Sequence, residues 1–245
     1  MKYAHIIWDF NGTIIDDVSL GVDVFNKLRA DCGLEPIDKT EYVENFKIPV
    51  RDFYEDMGFD FSKVDFRKIG ERFVELYSSK RFECPLTYGV ADAVRTFSKI
   101  GVGQSVLSAY ENGLLHQAIS HYGLSDYFGR IDGLDNIDAG SKIELGKRHI
   151  AAIGESPEMV VMVGDTPHDK QVADAMGVAC ALVACGHTSR RRLEKVGVPV
   201  FETLPSLKRH FCPETFRAIF LRESHSENFP CATAGGQSII QHFCI

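Results

Sequence analysis

The sequence predicts an α/β fold in which a doubly wound parallel sheet carries an inserted helical segment. Three observations support this prediction. An apolar run, Ala4 to Trp8, is too short for a buried helix and is rich in strand-forming residues. From residue 17 to about residue 80 the apolar spacing is helical throughout. From residue 88 to 196, short apolar runs alternate with helical patterns, which is typical of right-handed parallel crossovers.

Composition limits the functions that the chain can have. Its 245 residues are 44% hydrophobic and 25% charged, as in an ordinary globular protein of one large or two small domains. The net charge of −7 argues against a nucleic-acid partner. The N-terminus lacks a secretory pattern and no stretch reaches the length of a membrane span, so we expect no membrane partner. Seven cysteines without a Cys-x-x-Cys pair predict reduced thiols and a cytoplasmic protein.

The first strand ends at Asp9, and Asn11-Gly12 follows as a turn. Asp9 therefore belongs at the carboxyl edge of the sheet, where open α/β sheets bind ligands. The inserted segment is predicted to hold four helices, whose aromatic residues we interpret as core. These helices cover residues 18–32, 38–48, 50–57 and 62–79, and residues 81–87 form a return linker.

The remainder is predicted to alternate between helices and strands. The helices cover residues 88–100, 111–122, 141–153, 168–176 and 189–196, and the strands cover residues 103–107, 129–134, 159–163 and 178–183. The predicted domains are an α/β core of residues 1–15 and 86–211, a helical domain of residues 16–85, and a tail of residues 212–245. The tail has no sustained period, and no role is assigned to it.

Four stretches, in order, resemble the motifs of the haloacid dehalogenase superfamily of phosphatases, and specifically its phosphoglycolate-phosphatase-like branch with a small helical cap. Asp9-Phe-Asn-Gly-Thr resembles the first motif and Ser108, at a strand end, the second. Lys142 resembles the third-motif lysine, with Lys147 as a competing candidate one turn later. Gly164-Asp165-Thr-Pro-His-Asp169, after an apolar strand, resembles the fourth, and Gly186-His187 also suits this branch.

The resemblance implies a magnesium-dependent phosphatase of small phosphorylated metabolites, with Asp9 as the nucleophile that becomes an aspartyl-phosphate. The implied substrate-binding residues are Gly12, Thr13, Ser108, Ala109 and Lys142. The implied Mg²⁺ ligands are Asp9, Asp165, the main-chain carbonyl of Asn11 and, through a bound water or directly, Asp169. The charges point the same way, because three converging carboxylates repel one another unless a cation lies between them. Oxygen donors favour magnesium.

Asn11 departs from the family pattern, which has an aspartate at this position. In the family that carboxyl group protonates the leaving oxygen and then deprotonates the attacking water, and an amide can do neither. The sequence therefore predicts a slow enzyme on alkyl phosphates. Useful rates would need either a substrate with a good leaving group, such as an acyl or aryl phosphate, or substitution by Asp16, Asp17 or His168. The alternative function is a phosphate-ligand binding or regulatory protein that has lost turnover. A phosphotransferase is a third option.

Several of these residues also have a purely structural interpretation. Ser108 could cap the next helix, and Asp169 could simply favour the first turn of its helix. Lys47 and Arg51, on either side of Pro49, could meet a substrate anion, but a solvated helix face is the simpler interpretation. The run of residues 190–192 is expected to be exposed.

Overall fold

A parallel sheet of six strands forms the centre of the protein. The computed structural model describes residues 2–134 and 142–212. The strands are β1 (His5–Trp8), β2 (Gly103–Glu111), β3 (Arg130–Leu134), β4 (Val160–Gly164), β5 (Ala179–Val183) and β6 (Val200–Phe201). Their spatial order is β3-β2-β1-β4-β5-β6, and every pair is parallel. This order is that of a doubly wound sheet, so the predicted fold class is confirmed.

Ten α-helices are present in the described ranges. They are α1 (Val18–Asp31), α2 (Lys39–Asn45), α3 (Val50–Asp56), α4 (Phe66–Ser78), α5 (Val90–Lys99), α6 (Asn112–His121), α7 (Lys142–Ile153), α8 (Pro167–Met176), α9 (Arg190–Leu193) and α10 (Leu204–Phe211). None of them is long and apolar enough to cross a membrane. Helices α1 to α4 follow β1 before the chain returns to the sheet, as the helical spacing of residues 17–80 predicted.

Two apolar cores stabilise the protein. In the sheet core, β1 and β4 are buried along their whole length, which explains their uninterrupted apolar sequences. In the second core, rings from α2, from α3 and from Phe59 after α3 surround Phe25 of α1. The centroid of the Phe25 ring lies 4.8 Å from that of Phe53 and 5.2 Å from that of Tyr54. The interpretation of these aromatic residues as core is confirmed.

Some predicted boundaries were wrong for local reasons. Helix α4 begins at Phe66 and not at residue 62, because the Asp65 side chain caps it by accepting a hydrogen bond from the Arg67 amide. Strand β2 continues past Ser108 to Glu111, with a register shift against β3 after Leu107. Ser108 does not cap α6; the Glu111 carboxylate does so, by accepting from the amides of residues 113 and 114.

Arg190 and Arg191 are exposed, as the sequence predicted, whereas Arg192 is partly buried. The Arg192 guanidinium donates to the carbonyl oxygens of Val43 (3.1 Å) and Phe46 (2.5 Å) at the end of α2. Arg191 forms an ion pair with Glu44 on the same helix. Arg191 and Arg192 therefore link α9 to α2 and to Phe46 just after it. By contrast, Lys47 and Arg51 form exposed ion pairs with residues 56 and 55, as the simpler interpretation predicted.

In the described part of the chain, free thiols lie at positions 32, 84, 180 and 185. This agrees with the predicted reduced state. The predicted tail lies outside the described residues, apart from residue 212. Strand β6 and helix α10 were not predicted from the sequence; with them, regular secondary structure continues to Phe211.

Candidate active site

Three buried aspartates meet at the carboxyl edge of the sheet. Asp9 directly follows β1 and Asp165 directly follows the adjacent β4, while Asp169 lies in the first turn of α8. One carboxylate oxygen of each lies within 4.8 Å of the others. Adjacent parallel strands end at the same edge, so the convergence predicted from the sequence follows directly from the fold.

Asp169 combines a structural position with a place in the cluster. Its Oδ2 accepts hydrogen bonds from the backbone amide (3.0 Å) and hydroxyl (2.8 Å) of Thr166, which caps α8 in return. Its Oδ1 accepts from Lys142 Nζ at 2.6 Å. The structural interpretation of Asp169 in the first turn of its helix is therefore confirmed, while its role toward a metal ion stays a prediction.

Lys142 is the cation at the centre of the cluster. It is the first residue of α7, and its ammonium group contacts both Asp9 and Asp169 while only 6% of the residue is exposed. Burial lowers the pKa of Lys142, but the two carboxylates outweigh burial and raise it overall. Lys147, the competing candidate, is exposed and pairs with Glu144. The structure therefore places Lys142, and not Lys147, in the cluster.

The cluster has more negative charge than Lys142 offsets. Burial, together with the neighbouring carboxylates, raises the pKa of Asp9 well above its usual range, against the effect of Lys142. Burial also raises the pKa of Asp165 to about 6. For Asp169 burial acts in the same direction, but Lys142 and the Thr166 hydrogen bonds hold its pKa below the ordinary value. Buried oxygen donors with uncompensated charge are a donor set that a divalent metal ion fits.

Three glycines, at positions 12, 164 and 186, let the backbone approach these carboxylates closely. A Cβ atom on Gly186 would overlap the carboxylate of Asp165, and one on Gly164 would overlap that of Asp169. The backbone at these glycines thus packs directly against the carboxylates of Asp165 and Asp169. Thr13 and His187 complete the support of Asp165: the Thr13 hydroxyl donates to Oδ1 (3.2 Å), and the His187 amide donates to Oδ2 (2.6 Å).

A second buried network surrounds Asn11. The Asn11 amide Nδ2 donates to Asp17 Oδ2 (2.8 Å) and to the hydroxyl of Tyr77 (2.7 Å). That hydroxyl donates in turn to Asp17 Oδ2 at 2.7 Å, and the Gly12 amide donates to Asp17 Oδ1 at 2.8 Å. Asn11 is therefore held by a carboxylate on one side and by helix α4 on the other.

His187 forms the far end of this network. Its Nε2 lies 3.1 Å from Asp17 Oδ1, and its Nδ1 lies 3.2 Å from the hydroxyl of Tyr42. Burial lowers the pKa of His187, but the Asp17 carboxylate more than reverses this and raises the pKa to about 9. His187, Tyr42 and Tyr77 were not assigned to the site from the sequence, except for the resemblance that His187 carries.

A cavity of about 310 Å³ opens over the cluster. Of the residues predicted to bind substrate, Ser108, Ala109 and Lys142 line this cavity. Gly12 and Thr13 are buried and bond to Asp17 and Asp165 instead.

The proposed substitutes for the missing acid differ in position. Asp17 and His168 line the cavity, whereas Asp16 is exposed and lies outside its lining. Asp17 is already committed to four hydrogen-bonding groups, and His168 Nδ1 lies 3.1 Å from the side-chain oxygen of Gln171. The hydrogen bonds of Asp17 and His168 therefore do not identify either residue as the general acid.

Comparison with known proteins identifies relatives along most of the chain. Residues 6–183 match the family model of haloacid dehalogenase-like hydrolases. A phosphoglycolate phosphatase from Synechococcus elongatus is 25% identical over 193 residues, which cover 77% of this chain and 87% of the relative. A predicted phosphatase from Clostridium acetobutylicum has a similar structure, with a TM-score of 0.73 and 16% identity over 87% of this chain and all of the other. A haloacid dehalogenase family hydrolase from Deinococcus radiodurans, solved with bound phosphate and sodium, has a TM-score of 0.68 and 18% identity over 86% of this chain and 96% of the other.

Proposed function

The chain belongs to the haloacid dehalogenase-like hydrolase family, and from that premise we propose that it is a magnesium-dependent phosphatase of small phosphorylated metabolites. The observation that carries the proposal is the arrangement at the base of the cavity. There a buried carboxylate, Asp9, is paired with a buried ammonium group, Lys142, beside the carboxylates of Asp165 and Asp169. A phosphoryl group needs a nucleophile and positive charge at one point, and this arrangement offers both.

In the proposed reaction, a carboxylate oxygen of Asp9 attacks phosphorus. The new oxygen–phosphorus bond forms as the bond from phosphorus to the leaving oxygen breaks, which gives an aspartyl-phosphate and an oxyanion that takes its proton from solvent, because Asn11 cannot supply one. Water then attacks phosphorus, the bond to Asp9 breaks, and inorganic phosphate leaves. Lys142 offsets negative charge on the phosphoryl oxygens, and the Ser108 hydroxyl at the cavity wall is positioned to donate to one of them.

The proposed metal site uses Asp9, Asp165, Asp169 and the main-chain carbonyl of Asn11. The all-oxygen donor set and the excess negative charge of the cluster support magnesium in preference to zinc, which favours nitrogen and sulfur ligands. When bound, the ion supplies positive charge for the phosphoryl oxygens. Asp169 is already held by Thr166 and Lys142, which supports a role in orienting a bound water.

We further propose that residues 16–85 form a cap over a core of residues 1–15 and 86–211. Side chains from this segment, including Tyr42, Phe46 and Tyr77, line the cavity above the aspartates. A cap in this position would exclude water from the reacting groups and contact the leaving group of the substrate.

Phosphate release from phosphorylated metabolites, with magnesium and with chelator, tests the proposal. We expect metal-dependent release by the wild type and none by Asp9→Asn. Asp126→Asn, the same change at an exposed carboxylate, should behave as the wild type. Full activity in Asp9→Asn would overturn the assignment. Binding of phosphorylated ligands without release would favour the alternative, a binding or regulatory protein, for which Asn11 is the motive.

A further inference from the structure

One part of the cavity lining, which we call the wall, is apolar. It includes Ile48, Val50 and Val74, which are 39%, 42% and 43% exposed. These three belong to a group of only seven large hydrophobic side chains that are exposed among the described residues. Exposed apolar side chains that concentrate in one concave site mark a ligand-binding surface more often than an incidental one.

The charged groups that line the cavity are already engaged. The ammonium group of Lys142 contacts Asp9 and Asp169, and the His187 imidazole is paired with Asp17. His168 is hydrogen-bonded to Gln171. Lys47 and Arg51 lie outside the cavity lining, in ion pairs of their own. Along the described part of the lining, therefore, no lysine or arginine offers an uncommitted cation to a second anionic group of the substrate.

A carboxylate of the leaving group that lay against Ile48, Val50 and Val74 would be poorly accommodated. Transfer of an ionised carboxylate from water to an apolar surface without a partner is strongly unfavourable. The phosphoglycolate phosphatase from Synechococcus elongatus is named for a substrate with such a carboxylate, so this wall is not matched to that substrate.

From this wall we infer the substrate class: the leaving group is uncharged and aromatic, and its ring lies against Ile48, Val50 and Val74. The inference rests on the proposed phosphatase function. The volume of about 310 Å³ is at the lower end of the range for small-molecule sites and suits a phosphoryl group with one ring.

Asn11 supports the same substrate class independently. An amide cannot protonate a leaving oxygen, and a phenol, with a pKa of about 10, leaves as its anion far more readily than an alkyl alcohol does. The apolar wall and the missing acid thus both favour aryl phosphates.

Two aryl phosphates that differ in one carboxylate provide the test. Phenyl phosphate should be hydrolysed with a kcat/KM at least about tenfold higher than 4-carboxyphenyl phosphate, although the carboxylated phenol is the better leaving group. Chemistry alone would therefore give the opposite order. An equal or higher kcat/KM for 4-carboxyphenyl phosphate or for 2-phosphoglycolate would overturn the inference and leave the phosphatase function intact.

A charge placed on the wall should reverse the preference. Val74→Lys, at an exposed position of α4, should shift the kcat/KM ratio toward 4-carboxyphenyl phosphate by about threefold or more. Ile100→Lys is the matched control, because Ile100 is 44% exposed and lies outside the cavity. A similar shift in both variants would show that the wall does not select the leaving group.

If no ester is hydrolysed, the proposed phosphatase function is overturned. A binding measurement still tests the inference about the wall in that case. Phenylphosphonate and 4-carboxyphenylphosphonate carry the same groups without a bond that can be hydrolysed, and their affinities can be measured by calorimetry in magnesium buffer. Tighter binding of phenylphosphonate would retain the inference about the wall. Equal affinities, or tighter binding of the carboxylated compound, would reject it.

Discussion

Asn11 has a structural role that its sequence position did not reveal. Its amide donates to Asp17 and to Tyr77, and so links two buried acceptors beside the cluster. Burial raises the pKa of Asp17, but His187 and the hydrogen bonds from Asn11 and Tyr77 outweigh it, so the pKa is lowered overall and Asp17 stays ionised. An aspartate at position 11 would place two carboxylates in contact. The amide is therefore matched to its neighbour, and is more than a lost acid.

We expect Asn11→Asp to lower the free energy of unfolding by roughly 1–3 kcal/mol, because it replaces a hydrogen bond with repulsion between buried groups. Thermal melts at pH 7.5 measure the effect. The double variant Asn11→Asp/Asp17→Asn should recover part of the loss, since the amide can then donate in the reverse direction. If Asn11→Asp melts like the wild type, the contact with Asp17 does not constrain this position.

In that double variant a carboxyl group again occupies the position of the family acid. We expect the turnover of an alkyl phosphate to rise more than that of an aryl phosphate, because only the alkyl leaving group depends on protonation. The ratio of the two rate gains is the measurement. Equal gains, or losses on both substrates, would mean that the missing acid does not limit the rate.

Gly186 is expected to be intolerant of even one extra methyl group. In Gly186→Ala the new Cβ would overlap Asp165, so we expect weaker magnesium binding and a lower melting temperature. Gly70→Ala is the matched control, because no atom lies within 4 Å of its added Cβ and α4 should gain up to about 1 kcal/mol. Calorimetric titration with magnesium measures the first effect; unchanged affinity in Gly186→Ala would contradict it.

Residues at strand ends were predictable, and residues brought in by packing were not. Asp9 and Asp165 follow apolar strands, so periodicity located both at the sheet edge. Tyr77 was correctly interpreted as part of the helical core, but the position of its hydroxyl depends on how α4 packs against the loop after β1. Asp17 was named as one of three stand-ins for an acid, and nothing in the sequence indicated its pairing with His187.

At the scale of elements, a buried polar network ties four of them together. The Ser105 hydroxyl on β2 lies 2.8 Å from His5 Nε2 on β1 and 2.7 Å from His149 Nε2 on α7. His149 Nδ1 lies 2.7 Å from Asp132 Oδ2 on β3. Ser105, His149 and Asp132 have the partners of a hydrolytic triad, but Ser105 and His149 are fully buried, which leaves no access for a substrate. The network is therefore structural.

This network predicts loss of stability in acid. Burial, followed by the neighbouring His149, lowers the pKa of His5 to about 4, and burial lowers that of His149 despite Asp132. The unfolded chain then binds more protons than the folded protein between pH 6.5 and about 4, so stability is full above pH 6.5 and falls as the pH drops through that window. Thermal melts at pH 7 and pH 5 measure the fall.

We expect His5→Gln to reduce the difference in melting temperature between the two pH values. His116→Gln, at an exposed histidine of α6, should leave the difference unchanged. The carboxylates of the site titrate equally in all three proteins, so comparison among them isolates His5. If the difference in melting temperature between pH 7 and pH 5 is as large in His5→Gln as in the wild type, groups other than His5 cause the loss of stability in acid.

Elements with a strong period were predicted well, and short ones were not. Helix α1 was predicted from its apolar stripe, and α8 from the stop at Gly177, which has φ +72°. Strand β6 has two residues, too few for any alternation to be recognised. Strand β2 continues beyond Ser108 with irregular pairing to β3. The sequence did not predict this extension, because Ser108 is polar and a helical pattern follows it.

At the scale of the whole molecule, metal binding should stabilise the fold. The excess negative charge at Asp9 and Asp165 opposes folding, and a bound cation removes that penalty. Magnesium at a hundredfold excess over its Kd should add about 2.7 kcal/mol to the free energy of unfolding. The thermal melt with magnesium and with chelator measures this, and Asp165→Asn should shrink the shift while Asp126→Asn does not. A wild-type melting temperature that does not change with magnesium or chelator would argue against the proposed metal site.

The position of β1 at the centre of the sheet has a consequence for the order of events during synthesis. Trp8 pairs with Val106 on one side and with Val163 on the other, about 155 residues later in the chain. At typical elongation rates, the ribosome needs roughly 8 to 30 s to reach that second partner. In that interval α1 to α4 can already form their own aromatic core, whereas the four residues of β1 have no neighbouring strand on that side. Strand β1, which is buried along its whole length in the finished sheet, thus keeps one edge available to chaperones, or to the sheet edges of other nascent chains, until β4 has been synthesised.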